Sequence, residues 1–255
     1  MHLAPDQIKH YQDKGFLTLR GMYEPEALSR MSAWLDDLAH RTPAAGAEAK
    51  YYETSPTTGE TQLVRIEHLL AQTNPEMHAL VVTPALENAL EQLLGDAPVL
   101  FKDKANLKPP GCRSDKLHQD QAAGWDRYAD YFITVLIAVD ANEADNAPVN
   151  VLCSGRYAKG FMGEKWTPLT DVDPPYGPAD EYTVLELQPG DIVFFDNWVP
   201  HGSGPNASDR ARRNLFLTFN RAADGDRRDD YYRDKWQTYP PNEEGAARTR
   251  ESFRV

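Results

Sequence analysis

The chain of 255 residues is poor in cysteine and lacks any long apolar run. Its two cysteines, Cys112 and Cys153, form neither a zinc-binding motif nor a disulfide framework, which fits a reducing compartment. No stretch reaches the length of a membrane span, and residues 1–6 lack the basic and apolar segments of a secretion signal. We therefore expect a cytoplasmic protein with no membrane partner.

Net positive charge is also lacking. The formal net charge at pH 7 is −12, which opposes binding to nucleic acid. The chain has no internal repeats, and its length fits one enzyme domain with a sizeable core. The sequence does not determine an oligomeric state. We expect a single domain over 1–255, with a helical amino-terminal support over about 1–97, a β core over about 98–222 and a carboxy-terminal helix and tail over about 223–255.

Two histidines and one aspartate are spaced as metal ligands. His118 and Asp120 lie on the same side of an extended strand, with the residue between them on the other side. His201 follows a predicted buried strand far along the chain. Two imidazoles and one carboxylate leave three octahedral positions open, which is the ligand set of non-haem Fe(II) oxygenases. The pattern predicts an iron site that uses O2 for oxidation.

Further motifs accompany these ligands. They are Lys-Ala-Asn-Leu-Lys-Pro-Pro-Gly at 104–111, Leu-His-Gln-Asp-Gln at 117–121, Pro-Gly-Asp at 189–191, His-Gly-Ser-Gly-Pro-Asn at 201–206, and Arg212. In this combination the chain resembles the phytanoyl-CoA dioxygenase family of Fe(II)/2-oxoglutarate-dependent oxygenases. The resemblance implies a mainly β fold, a double-stranded β-helix (jelly roll, cupin-like) flanked by amino-terminal helices and a carboxy-terminal helix. It also implies iron held by the three ligands and 2-oxoglutarate anchored by Arg212 with Ser203.

One turn departs from the family's pattern. Relatives often carry Pro-Gly-Ser-His after the central strands, whereas this chain has Leu-Cys-Ser-Gly-Arg-Tyr at 152–157. That turn lies near the substrate mouth in relatives. The departure therefore weakens inference of the substrate by analogy but leaves the iron site unaffected.

Positive charge is concentrated on both sides of the proposed ligands. Residues 102–116 carry five cationic side chains against two aspartates, and residues 210–228 carry six arginines against two aspartates. Solvated strand ends and a charged helix explain most of them. Arg212, however, accounts for only one anion. A second anionic group, on the substrate, would explain the remainder.

Lys102, Lys104 and Asn106 share one face of a predicted strand. If this face looks outwards, the lysines are solvated; if it looks into the barrel, they need an anionic partner, because an unpaired buried lysine is costly. We favour the inward orientation, since Asn106 lies near the cosubstrate at this position in relatives. Asn106, Lys102 and Thr134 are therefore further candidate contacts of 2-oxoglutarate.

The substrate is the least determined part of the hypothesis. The tail at 220–228 is similar to bacterial members of the family that hydroxylate 2-aminoethylphosphonate. This favours hydroxylation of an unactivated C–H bond in a small anionic metabolite, with release of succinate and CO2. A tailoring oxygenase of secondary metabolism and a non-catalytic metal-binding β-helix protein are the alternatives. Candidate substrate contacts, each equally explained by packing or solvation, are Lys104, Gln119, Gln121, Trp125, Arg156 and Tyr231.

Periodicity and turn residues predict helices first and strands afterwards. The predicted helices cover about 5–13, 25–41, 75–81, 83–94 and 229–236, the last of which could cross the barrel mouth, and residues 42–60 look like a loop. Predicted strands cover about 16–19, 98–107, 131–139, 149–152, 182–187, 191–196 and 214–220. Short strands separated by such turns suit a jelly roll.

Overall fold

The computed structural model describes residues 1–43, 47–152, 158–169 and 182–242. In these ranges the α-helices are α1 (Pro5–Lys14), α2 (Pro25–His40), α3 (Pro75–Val81), α4 (Pro84–Leu94) and α5 (Arg228–Thr238). The strands are β1 (Phe16–Leu19), β2 (Ala49–Thr54), β3 (Thr61–Glu67), β4 (Pro98–Asn106), β5 (Asp115–His118), β6 (Phe132–Ala138), β7 (Val149–Leu152), β8 (Tyr182–Val184), β9 (Ile192–Asp196), β10 (His201–Ser203) and β11 (Asn214–Arg221).

Two antiparallel sheets form the body of the described structure. The larger sheet has the strand order β1-β9-β6-β11-β4-β3-β2, and the smaller has the order β5-β10-β7-β8. Apolar side chains between them, including Leu136, Val151, Phe195 and Phe216, form one core. This arrangement confirms the predicted mainly β, jelly-roll fold, and the central strand β6 is buried on both faces.

The amino-terminal helices cover the outer face of the larger sheet. A second apolar core joins Met31 of α2 and Leu90 of α4 to Val135 of β6 and Leu217 of β11. The amino-terminal helices start where proline sets φ for the first turn, as at Pro84, where the preceding Thr83 caps the helix by accepting from Leu86 N at 3.2 Å. This core joins amino-terminal helices to central strands, and the single domain over 1–255 stays a prediction.

The amino-terminal region contributes strands as well as helices: β1 was predicted, whereas the β2–β3 hairpin was not. Strands β1, β2 and β3 extend the larger sheet at its two edges, and β2 lies within the predicted loop 42–60. The β2–β3 hairpin was not predicted because one face of β3 is charged. Arg65 and Glu67 stand opposite Asn106 and Lys104 of β4 and so share their face of the sheet. A strand with charge on its inner face lacks the apolar alternation expected of a half-buried strand.

None of the helices in the described ranges combines the length and the apolar character needed to cross a bilayer. Arg156 and Cys153, together with the rest of the departing turn at 153–157, lie outside the described residues.

Candidate metal centre

Three buried ligand groups meet at one end of the space between the sheets. His118, at the end of β5, stands directly opposite His201, at the start of β10, with ring centroids 4.5 Å apart. Asp120 follows in a short 3-10 segment, and its Oδ1 lies 3.8 Å from Nε2 of each histidine. One ligand atom from each residue lies within 4.8 Å of the other two.

Backbone carbonyls orient both imidazoles. His118 Nδ1 lies 2.7 Å from the carbonyl oxygen of Lys116, and His201 Nδ1 lies 3.1 Å from that of Val199. Because a carbonyl only accepts, Nδ1 is the protonated nitrogen in each neutral ring and Nε2 presents a lone pair towards Asp120. Asp120 Oδ1 is buried and has no hydrogen-bond partner in the described structure. Three electron-pair donors gathered in this way fit a divalent cation, and this donor set is typical of Fe(II).

The protonation states of the ligands suit metal binding. Burial, together with the neighbouring His201, lowers the pKa of His118 to about 4, so the ring is neutral at pH 7. Burial alone would raise the pKa of Asp120, but the two histidines and Lys104 outweigh that effect and hold it below its ordinary value. The carboxylate is therefore ionised without a bound metal.

A pair of threonines supports the aspartate. Thr134 Oγ1 donates to Asp120 Oδ2 at 3.4 Å and lies 2.9 Å from Thr218 Oγ1. Both threonines are buried. Thr134, predicted to contact 2-oxoglutarate, is thus placed against the carboxylate ligand and helps to fix its orientation.

Arg212 is buried and forms no ion pair with the acidic residues that the structure describes. It is 1% exposed, one Nη2 proton is donated to the carbonyl of Ala147, and Nε has no partner in the described structure. Burial lowers the pKa of Arg212 to about 10, so it stays charged at pH 7. The hydroxyl of Ser203 donates to Asp115 Oδ2 at 3.2 Å. A buried guanidinium with an unused N–H fits the carboxylate of 2-oxoglutarate.

The predicted strand face with the two lysines is the inner face. Lys102 stands opposite Thr218, which stands opposite Thr134, so the three form one row across β4, β11 and β6. Lys104 stands opposite Phe216, and Asn106 stands at the far end of the same face. Lys102 is 1% exposed and its Nζ has no hydrogen-bond partner in the described structure.

The two glutamines flanking Asp120 hold neighbouring loops. Gln119 donates through Nε2 to the carbonyls of Gly160 and Trp198, at 2.9 and 2.6 Å, and accepts from Met162 N at 2.8 Å. Gln121 donates to Ala129 O at 3.2 Å and accepts from Asn197 Nδ2 at 2.7 Å. These contacts give both side chains a supporting position, and their contact with substrate stays a prediction.

Trp125 and Tyr231 are placed beside Lys102. The Nζ atom of Lys102 lies 5.3 Å from the Trp125 ring centroid and 5.6 Å from the Tyr231 ring centroid. Both aromatic residues are buried, and Tyr231 is contributed by α5. The carboxy-terminal helix therefore closes this side of the chamber.

A buried ionic cluster that the sequence pattern did not predict lies next to these residues. Glu67 accepts from Lys235 Nζ at 2.7 and 2.8 Å and lies 3.1 Å from Arg65 Nε. The guanidinium of Arg65 lies over the ring of Tyr51, 4.7 Å from its centroid. Lys235, Lys102 and Arg65 together hold the pKa of Glu67 far below its ordinary value despite its burial. The signal that would have revealed the cluster is Arg-Ile-Glu at 65–67, a strand with charge at alternate positions.

Comparisons with known proteins agree with this site. The phytanoyl-CoA dioxygenase (PhyH) profile matches residues 11–214. A 2-aminoethylphosphonate dioxygenase from the uncultured bacterium HF130_AEPn_1 is 33% identical over 246 residues, 95% of this chain and 91% of that protein. A methylphosphonate hydroxylase from Gimesia maris is 26% identical, over 93% of this chain and 88% of that protein.

A solved structure shares the fold. EctD from S. alaskensis, with 2-oxoglutarate and 5-hydroxyectoine, superposes with a TM-score of 0.70 at 19% identity, covering 87% of this chain and 77% of that one. The family profile and the aligned relatives span most of the chain, including all three candidate ligands. The chain therefore belongs to the phytanoyl-CoA dioxygenase family of Fe(II)- and 2-oxoglutarate-dependent oxygenases.

Proposed function

We propose that this dioxygenase hydroxylates a C–H bond of a small phosphonate, with 2-oxoglutarate and O2 as cosubstrates and succinate and CO2 as further products. Two relatives that align over more than nine-tenths of the chain are named for phosphonate substrates. On the inner sheet face, the buried Lys102, whose Nζ has no hydrogen-bond partner in the described structure, supports an anionic substrate independently of those names. We also infer that the protein works in the cytoplasm on this small molecule, without nucleic acid or membrane as partner.

The observation that carries the enzymatic assignment is the state of Asp120. Its Oδ1 is buried without a hydrogen-bond partner in the described structure, while Nε2 of two oriented histidines faces it at 3.8 Å. A buried carboxylate oxygen left in this state is costly unless a cation compensates it. We assign His118, Asp120 and His201 as the Fe(II) ligands, and the iron, when bound, supplies O2 activation for C–H oxidation.

The protein's own residues position the reactants. Arg212 binds the distal carboxylate of 2-oxoglutarate through charge-assisted hydrogen bonds, at the end of the chamber where Asn106 and Ser203 also lie. Thr134 keeps Asp120 in place. Burial of the site between the two sheets excludes water, which strengthens these charge interactions.

The test is succinate formation by the Fe(II)-loaded protein with 2-oxoglutarate and O2. The panel contains 2-aminoethylphosphonate, methylphosphonate, and amino acids and carboxylates of similar size, with His118→Ala as the blank. We expect stimulation by phosphonates above slow uncoupled turnover. Stimulation by a carboxylate or amino acid alone would reject the phosphonate assignment, and no turnover at all would favour a non-catalytic binding protein.

A further inference from the structure

In the described structure most cations of the two positively charged segments have acidic partners, but Lys102 and Lys104 do not. In the described structure the ion pairs join Lys108 to Asp115, Arg113 to Glu53, Arg210 to Glu143, Arg213 to Asp140, Arg221 to Asp224 and Arg228 to Asp103. Lys102 and Lys104 form no ion pair in the same residues. Because 2-oxoglutarate is assigned to Arg212, it does not neutralise the positive charge of these two lysines.

Lys102 is a buried donor that lacks an acceptor. It is 1% exposed, and Nζ has no hydrogen-bond partner in the described part of the chain. Trp125 Nε1 is buried and is likewise without a partner there, and its ring centroid lies 5.3 Å from Lys102 Nζ. Both groups only donate, so the missing partner is an acceptor-rich group.

The nearby carboxylates are already committed. Glu67 holds Lys235 through two hydrogen bonds and Arg65 through an ion pair, and Asp120 faces the two histidines. Burial, followed by the repulsion of Lys235, lowers the pKa of Lys102. Burial also lowers the pKa of Lys104. An anion bound here would relieve both the repulsion and the desolvation.

Lys102 lies beside the metal centre and away from Arg212, and Lys104 follows it on the same strand face. Lys102 shares its cross-strand row with Thr134, which touches Asp120. Asn106, at the Arg212 end of the sheet, is four residues further along β4, roughly 13 Å at the rise of an extended strand. The chamber therefore has two cationic ends.

Resting on the proposed function, we propose that Lys102 and Lys104, with the indole N–H of Trp125, bind the doubly charged tetrahedral head group of the substrate, a phosphonate dianion. This assigns Lys102 to the substrate instead of to 2-oxoglutarate. The head group lies at the α5 side of the chamber, so the adjacent carbons extend towards Asp120.

Charge selects the phosphonate over anions of the same shape. Two ammonium groups and one N–H match the three acceptor oxygens of a phosphonate carrying two negative charges. A sulfonate has the same tetrahedral shape but one negative charge, and a carboxylate has two oxygens. Either would leave a buried lysine uncompensated, which is costly.

The experiment compares 2-aminoethylphosphonate with 2-aminoethanesulfonate on the anaerobic Fe(II)- and 2-oxoglutarate-loaded protein, by calorimetry at a pH where the phosphonate is doubly ionised. We expect the wild type to bind the phosphonate at least about 10-fold more tightly than the sulfonate. Lys102→Met should weaken phosphonate binding by about 10- to 100-fold, the value of a charge-assisted hydrogen bond. It should also largely remove the preference over sulfonate, and Trp125→Phe should weaken phosphonate binding by a smaller factor.

The controls separate the possible failures. Lys9→Met removes one surface lysine and should bind the phosphonate as the wild type does, since Lys9 pairs with Asp13 far from the chamber. A Lys102→Met protein that binds phosphonate normally, or that loses affinity for 2-oxoglutarate instead, overturns this inference but not the proposed function. A wild type that binds neither anion and is stimulated by no phosphonate overturns both. Denaturant unfolding checks the fold of Lys102→Met, which should be at least as stable because an unpaired buried charge is removed.

Discussion

His118 and His201 face each other directly across the antiparallel strands β5 and β10, with ring centroids 4.5 Å apart. The register of this pair brings together two ligands that lie far apart in the chain. Asp120 joins them from the segment that follows β5, and its Oδ1 is equidistant from the two Nε2 atoms at 3.8 Å. A shift of one residue in this register would turn one imidazole to the other face of the sheet.

Loss of one ligand should remove both metal and activity. Two measured quantities should fall to the level of a protein-free blank in His118→Ala and in Asp120→Ala. They are the amount of Fe(II) that stays bound after dialysis and the rate of 2-oxoglutarate-dependent succinate formation, since two ligands do not hold the ion. Elemental analysis and succinate assay measure the two quantities. His2→Ala, which removes an exposed histidine, is the control. A folded Asp120→Ala protein with unchanged turnover would contradict the iron assignment.

Arg212 and its neighbour Arg213 offer a matched pair of variants. Arg212→Ala should raise the Michaelis constant for 2-oxoglutarate by about 10- to 100-fold, because a charge-assisted hydrogen-bond pair is lost. The Michaelis constant for the substrate should change much less. Arg213 pairs with Asp140 at 2.8 Å and with Asp36 at 2.8 Å on the outer surface. Arg213→Ala should therefore leave both constants unchanged. Equal increases for both reactants in Arg212→Ala would remove Arg212 from its assigned role.

The ion pair between Lys235 and Glu67 should contribute strongly to stability. Lys235→Met removes the cation that is hydrogen-bonded to the buried carboxylate of Glu67, and we expect the free energy of unfolding near neutral pH to fall by about 3 kcal/mol or more. Because the pKa of Glu67 is lowered in the folded protein, its stabilisation is present above the ordinary glutamate pKa and is lost as the pH falls towards the folded value. Urea unfolding at neutral and acidic pH should therefore show the difference between variant and wild type shrinking in acid.

The surface pair Lys9–Asp13 is the control for this experiment. Lys9→Met should change the free energy of unfolding by less than about 1 kcal/mol, as expected of an exposed ion pair. Equal effects of Lys9→Met and Lys235→Met would show that the buried cluster adds nothing beyond a surface charge.

Gln119 should hold residues 158–169 against the metal centre. Gln119→Leu removes three hydrogen bonds to the backbone of Gly160, Met162 and Trp198, so we expect a loss of about 1–3 kcal/mol of stability and faster amide exchange in 158–169. Hydrogen exchange with mass spectrometry measures the local change. Gln188→Leu, at an exposed position, should leave exchange in that segment unaltered, and an equally protected segment in Gln119→Leu would refute the proposed role.

Substrate binding should draw a proton from solvent. In the free protein, burial and Lys235 lower the pKa of Lys102, with Lys104 and Arg65 acting in the same direction and Glu67 opposing them. A bound dianion raises that pKa again, so at a pH between the two values binding takes up protons. Calorimetry in buffers of different ionisation enthalpy measures the uptake for 2-aminoethylphosphonate, and Lys102→Met should abolish most of it. Undiminished uptake in that variant would place the titrating group elsewhere.

The sequence by itself determined the elements whose signals are local. Proline at the helix starts predicted α3 and α4, and unbroken apolar runs predicted β6 and β9, because capping and burial are encoded within a few residues. The two-residue alternation of an extended strand likewise placed His118 and Asp120 on one side, and the motifs around them carried the family assignment.

Only the tertiary structure decided what long-range pairing brings together. The hairpin of β2 and β3 was missed because its inner face is charged, and Glu67 is tolerated there only because α5 delivers Lys235 from the other end of the chain. The hydrogen bonds of Gln119 and Gln121 also depended on distant loops, since the sequence does not show which remote groups an amide side chain will meet. Hydrophobic periodicity reports whether a position is buried, but the partner that compensates a buried charge is set by strand register and helix docking.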